Sequence, residues 1–167
     1  KIAHHSNGQD GNFYTDDEKV NLQSGNFATN YLELGFLQSS YSQNLKAFKF
    51  IKSSVEIHPK SWMLEELHGQ YSGLRWHNTF LAYKLPMKTN PLPNEKQRAN
   101  FSIKAETTIM LDNFNNWNYF DAKRLNASLI LYYHPKFLED IGFFVQFYHG
   151  MDYYNIYFQH QISSIRF

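Results

Sequence analysis

No cysteine occurs among the 167 residues, so the chain can form neither a disulfide framework nor a thiolate metal site. No apolar run reaches the roughly 18 residues that a membrane-crossing helix needs. Charge of one sign is lacking too: 16 Lys and Arg stand against 15 Asp and Glu, for a formal charge of +1. That balance gives no electrostatic footprint for a nucleic acid. Metal-ligand spacing is missing as well, because His58, His68, His77, His134, His149 and His160 are scattered along the chain.

What is present is aromatic. Fifteen Phe and twelve Tyr accompany a negative mean hydropathy of -0.55, an odd pairing for a water-soluble core. It suits a transmembrane β-barrel, in which lipid-facing and lumen-facing residues alternate and aromatics gather at the interfaces. The clearest alternation is Phe101, Ile103, Ala105, Thr107, Ile109 and Leu111 against Ser102, Lys104, Glu106, Thr108 and Asp112. Others are Asn30, Leu32, Leu34 and Phe36 against Tyr31, Glu33, Gly35 and Leu37, and Leu125 to Tyr133 on odd positions. Further strands are predicted at 46–58, within 68–85, at 141–147, and from Tyr154 through Ile156, Phe158 and Ile162. The pair of prolines in Asn90-Pro91-Leu92-Pro93-Asn94 marks a loop. The fold class is therefore all-β: about seven full strands plus a stub at residues 1–6, in one domain spanning 1–167. An open sheet cannot sit in a bilayer with unpaired edges. The chain is thus expected either to be part of a longer barrel, with N-terminal strands and any export signal upstream, or to close with something else, and the first is favoured.

The stub carries a pattern with chemical meaning. In His4-His5-Ser6-Asn7-Gly8, residues i and i+2 of a strand point to one face. His4 and Ser6 would stand side by side with Ile2, while Ala3 and His5 turn away. If the strand led by Asn30 is the neighbour, Ser6, His4 and Asn30 can meet as nucleophile, base and orienting group. A serine hydroxyl needs a base to take its proton, and imidazole, with a pKa of about 6.5, suits the task. An amide oxygen can fix the imidazole tautomer. Gly8 lets the backbone turn and approach a substrate, so the Ser6 and Gly8 amides are candidate oxyanion donors. The same residues also suit a plain strand end running into a turn. Asp16-Asp17-Glu18, in the loop that follows, reads either as a solvated cluster or as oxygen ligands for a hard cation.

His-x-Ser-Asn-Gly at a strand end, followed by a polar loop and an Asn-led strand, resembles the outer-membrane phospholipase A family, whose motifs read His-Asp-Ser-Asn-Gly and Trp-Asn-Arg. The family's histidine falls on His4, its serine on Ser6, its oxyanion glycine on Gly8 and its asparagine on Asn30. His5 replaces the aspartate, and Thr29-Asn30-Tyr31 replaces Trp-Asn-Arg. The resemblance implies a twelve-stranded antiparallel transmembrane barrel, of which this chain would cover about the C-terminal seven to eight strands, located in the bacterial outer membrane. It also implies calcium dependence, with ligands at Gln9 and Asn26 and with Ser24 nearby, and a homodimer that completes the substrate and calcium sites. Phe167 resembles the terminal aromatic of the export signature of such barrels.

Two functions from different classes follow. One is a calcium-dependent phospholipase hydrolysing acyl esters from the outer wall of the barrel, since Asn30 shares the apolar face with Leu32, Leu34 and Phe36. The other is a non-enzymatic barrel, either a pore or a structural subunit of an envelope assembly. A soluble β-sandwich would need the apolar faces buried against each other.

Overall fold

The period-two pattern is realised as a single antiparallel sheet of eight strands in chain order. The computed structural model describes residues 1–6, 16–17, 28–44, 47–63, 65–86, 99–135, 141–151 and 160–167. The strands are β1 (Ile2–Ser6), β2 (Ala28–Ser42), β3 (Ala47–Ile57), β4 (Leu74–Pro86), β5 (Asn100–Met110), β6 (Leu125–His134), β7 (Phe143–Met151) and β8 (Gln161–Arg166). β1 and β8 are its edges, and the sheet is not closed, an arrangement consistent with part of a β-barrel. Among the described residues no helix is long and apolar enough to cross a membrane, which bears on helices only.

Following the register from strand to strand separates two faces. One carries the row Leu34, Val55, Trp76, Ile109 and Leu125. The other carries the row Gly35, Ser54, His77, Thr108, Asn126. Their exposure inverts the soluble-protein rule. Leu34 and Phe36 are 60% and 64% exposed on the apolar face, whereas Ser54 and Glu56 are 3% and 7% exposed on the polar one. A single layer can shield one face only by coiling around it. The polar face is therefore the inside of the curve, held by ion pairs such as Lys52–Glu33 at 2.5 Å and Lys104–Glu106 at 2.9 Å.

Two strands depart from the pattern expected of them. β4 looks irregular in sequence because the register shifts between Ala82 and Leu85, where Lys84 takes a left-handed φ of 55° and its N–H donates to the buried Ser102 hydroxyl at 2.9 Å. This bulge swaps which residues face out. The last strand is Gln161–Arg166. Tyr154, Ile156 and Phe158 lie outside the described residues, and Ile162, paired with Gly150, is on the polar face while Ile165, paired with Phe147, is on the apolar one.

The strand directions put the β3–β4 and β5–β6 connections at one end of the sheet. There the two pack into a cap. Asp112 accepts from the Ser72 hydroxyl and the Gly73 amide, both at 2.6 Å, and the Asn115 amide donates to the Gly69 carbonyl at 2.7 Å. Arg124, 2% exposed, donates to four carbonyls, those of Met110, Asp112, Trp117 and Asn118, at 2.6 to 3.1 Å. The planar fork of the guanidinium can serve several acceptors at once, where a lysine ammonium cannot hold that geometry. Arg124→Met removes that shared donor, while the Asn118 carbonyl still accepts from the Asp121 amide at 3.0 Å. It is expected to destabilise the fold by on the order of 3 kcal/mol, since each buried unsatisfied group costs about 1 to 3 kcal/mol. Thermal unfolding in detergent, followed by circular dichroism, measures it, with Arg124→Lys recovering only part of the loss.

Candidate active site

β1 pairs with β2 in the register His4↔Asn30, His5↔Thr29 and Ser6↔Ala28. The phase of the ladder is set at its start, where the Lys1 nitrogen donates to the Glu33 carbonyl at 2.9 Å and the Glu33 amide returns the bond at 2.8 Å. Antiparallel pairs alternate between bonded and non-bonded. Ala3↔Tyr31 and His5↔Thr29 are then bonded pairs, and His4↔Asn30 is a non-bonded one, the type in which Cα atoms approach to about 4.5 Å and side chains come closest. Accordingly, His4 Nδ1 donates to Asn30 Oδ1 at 3.1 Å. An amide oxygen can only accept, so the neutral imidazole keeps Nδ1 protonated and leaves Nε2 as the base.

Ser6 lies two residues beyond His4 on the same exposed face. As a residue of a non-bonded pair, its amide points away from β2, toward the outer side of the edge strand. The backbone N–H is therefore not used by the β1–β2 ladder, as an oxyanion donor requires. The structure thus brings His4 and Asn30 into contact and sets Ser6 on their face, at the end of the sheet that carries the cap. Gly8, Gln9, Ser24 and Asn26 lie outside the described residues. Asp16 and Asp17 form an exposed turn, and Glu18 lies outside the described residues. Among the described residues, no three His, Asp or Glu side chains gather as a metal site.

The apolar face holds other polar side chains, and their arrangement sets the His4 site apart. Trp76 Nε1 donates to Ser53 Oγ at 2.9 Å and Ser53 Oγ donates to Asn78 Oδ1 at 2.8 Å. A second imidazole–hydroxyl pair, His149 Nδ1 with Ser163 Oγ at 2.9 Å, lies across β7 and β8. His149 Nε2 is buried, and among the described residues nothing orients that ring from its far nitrogen. His4 has an orienting group in Asn30.

Directly behind the site, on the polar face, is a cluster that the histidine spacing did not announce. His58 and Glu56 are an i, i+2 pair on one face at the end of β3, and His58 Nε2 donates to Glu56 Oε1 at 2.8 Å. Arg75 Nη1 is 3.7 Å from the same oxygen, and His77 Nε2 is 3.3 Å from Glu56 Oε2 without hydrogen-bond alignment. The signal available in sequence was Glu56-x-His58 beside Pro59.

Comparisons with protein-family models, with curated proteins and with solved structures return no match to this chain.

Asn30→Leu removes the acceptor for His4 at an exposed apolar position that tolerates leucine. The His4 side-chain 15N spectrum should then lose its single Nδ1-protonated tautomer and show an average of both forms, with far-UV circular dichroism unchanged.

Proposed function

We propose that this chain is part of an outer-membrane phospholipase of the Ser-His-Asn type, which hydrolyses acyl esters of phospholipids. The observation that carries the reading is the His4–Asn30 hydrogen bond on an apolar, outward-facing sheet surface, with Ser6 beside it at the strand end. An ester bond of a membrane lipid meets such a wall near the interface, and a water-filled lumen would be the wrong place for it. The inverted exposure of the two faces supports membrane embedding for the same reason: apolar side chains on a lipid face cost nothing, whereas in water they would.

In the proposed reaction the Ser6 oxygen attacks the ester carbonyl carbon as His4 Nε2 takes its proton. Asn30 holds the imidazolium by its Nδ1–H, though as a neutral group it offsets less of the charge than a carboxylate would. The oxyanion is met by the Ser6 amide and the Gly8 amide. Collapse breaks the ester C–O bond, and His4 returns its proton to the departing lysolipid oxygen. Water, deprotonated by His4, then releases the fatty acid from Ser6. Calcium would supply positive charge beside the oxyanion when bound. Its ligands are proposed from Gln9, Ser24 and Asn26, and dimerisation follows from the resemblance alone.

The test is phospholipid hydrolysis by the protein in detergent micelles. Activity should require calcium, be lost with chelator, and fall at least about 10³-fold in Ser6→Ala, as for a removed nucleophile. A folded, inactive wild type would leave the pore or structural-subunit reading. The membrane placement has its own check. Brominated acyl chains should quench Trp76, 41% exposed on the apolar face, and spare Trp117, which packs edge-on to Phe114 in the cap.

A further inference from the structure

We infer that Thr29, His58, Glu56, His5 and Tyr71 form a positioning network that holds the His4–Asn30 pair from the opposite face of the sheet. This rests on the proposed hydrolytic role of His4, Ser6 and Asn30. His5 and Thr29 are the backbone neighbours of His4 and Asn30, and they are themselves a register pair whose side chains point inward. Each is gripped there by a residue from the segment between the body of β3 and the start of β4. The Tyr71 hydroxyl and His5 Nδ1 are hydrogen-bonded at 2.6 Å. Thr29 Oγ1 is 3.2 Å from His58 Nδ1. With Nε2–H committed to Glu56, the uncharged tautomer of His58 has its lone pair at Nδ1, where the Thr29 hydroxyl can donate.

The network is tightly built. Thr29, His58 and Tyr71 are all buried. The His58 ring lies between Tyr31 and Tyr71, with centroids at 5.1 and 5.4 Å, and the Arg75 guanidinium sits 4.1 Å over the Tyr71 ring. β1 needs such support. Among the described residues it pairs with β2 alone, and a strand held on one side is the first to fray. The Thr29–His58–Glu56 chain fixes the inner side of the same two backbone segments whose outer side carries the site. His5 and Thr29 are also two of the positions at which this chain departs from the motif it resembles, and both departures enter the network.

The experiment compares wild type with Thr29→Val, which keeps shape and loses the hydroxyl. It adds His58→Phe, which keeps the ring between the tyrosines, and His58→Gln, whose amide can still accept from Thr29 and donate to Glu56. All are prepared as the full chain in detergent micelles, with folding checked by circular dichroism. The first readout needs no activity: the His4 side-chain 15N tautomer signature. It should be averaged in Thr29→Val and His58→Phe and restored in His58→Gln. An unchanged His4 signature in the first two would overturn the inference whatever the wild type hydrolyses. The second readout is the rate of covalent modification of Ser6 by a long-chain sulfonyl fluoride, with kcat and KM on phospholipid. Modification and kcat should fall about 10- to 100-fold, as for lost outer-shell partners, with KM unchanged and His58→Gln close to wild type. Variants that react as fast as a reactive wild type also overturn it. A wild type inert at Ser6 and toward phospholipid sinks the proposed function instead, and the His4 spectrum then decides the positioning role.

Discussion

A slip of one residue in the pairing of β1 with β2 would turn His4 and Ser6 to the polar face and bring His5 out among Ile2's neighbours. Every feature of the candidate site hangs on that register. It makes His4↔Asn30 a close, non-bonded pair, it turns the Ser6 amide away from β2, and it aims His5 and Thr29 at Tyr71 and His58. Register is strongly specified when the two faces differ in what they can tolerate. Here they differ sharply, because a leucine forced among Glu33, Lys52 and Ser54 would strand their hydrogen bonds.

The polar interior is accordingly a structural element and not leftover surface. Glu33 accepts from Lys52 and Ser54, Glu56 meets His58, Arg75 and His77, and Gln146 donates to Ser128 at 3.0 Å. A sheet one layer thick has no second apolar layer to pack on. Its specificity comes from this cross-strand bonding on the inside, with the apolar wall left for other contacts. The cap closes one end by a different device, a single arginine that gathers backbone carbonyls from residues 110–118.

Much of this could be read from the amino acids alone. β5 is legible because Phe101 to Ile109 alternate without interruption against Ser102 to Thr108. β2 is legible for the same reason, and the shared face of His4, Ser6 and Asn30 follows from i, i+2 geometry once β1 and β2 are neighbours. β4 resisted because the bulge at Lys84 changes the parity of the residues around it, and a period-two pattern carries no mark of such a shift. The inner network stayed hidden for another reason. Its members, His5, Thr29, Glu56, His58 and Tyr71, are separated by up to 66 residues, and each alone looks like an ordinary polar strand or loop residue. Arg124 was invisible because its partners are carbonyls, which every residue has.

The phase of the β1 edge has one more consequence. The amides and carbonyls of Ile2, His4 and Ser6 are the outward-facing groups open to a strand laid along this edge. Pairing that runs as far as Ser6 would occupy the amide that an oxyanion needs, while pairing that stops at His4 would leave it open. In the proposed site, oxyanion and ladder therefore compete for one hydrogen. On that proposal the last rung of the sheet acts as a stop, and where it falls separates a plain wall of the sheet from a working surface.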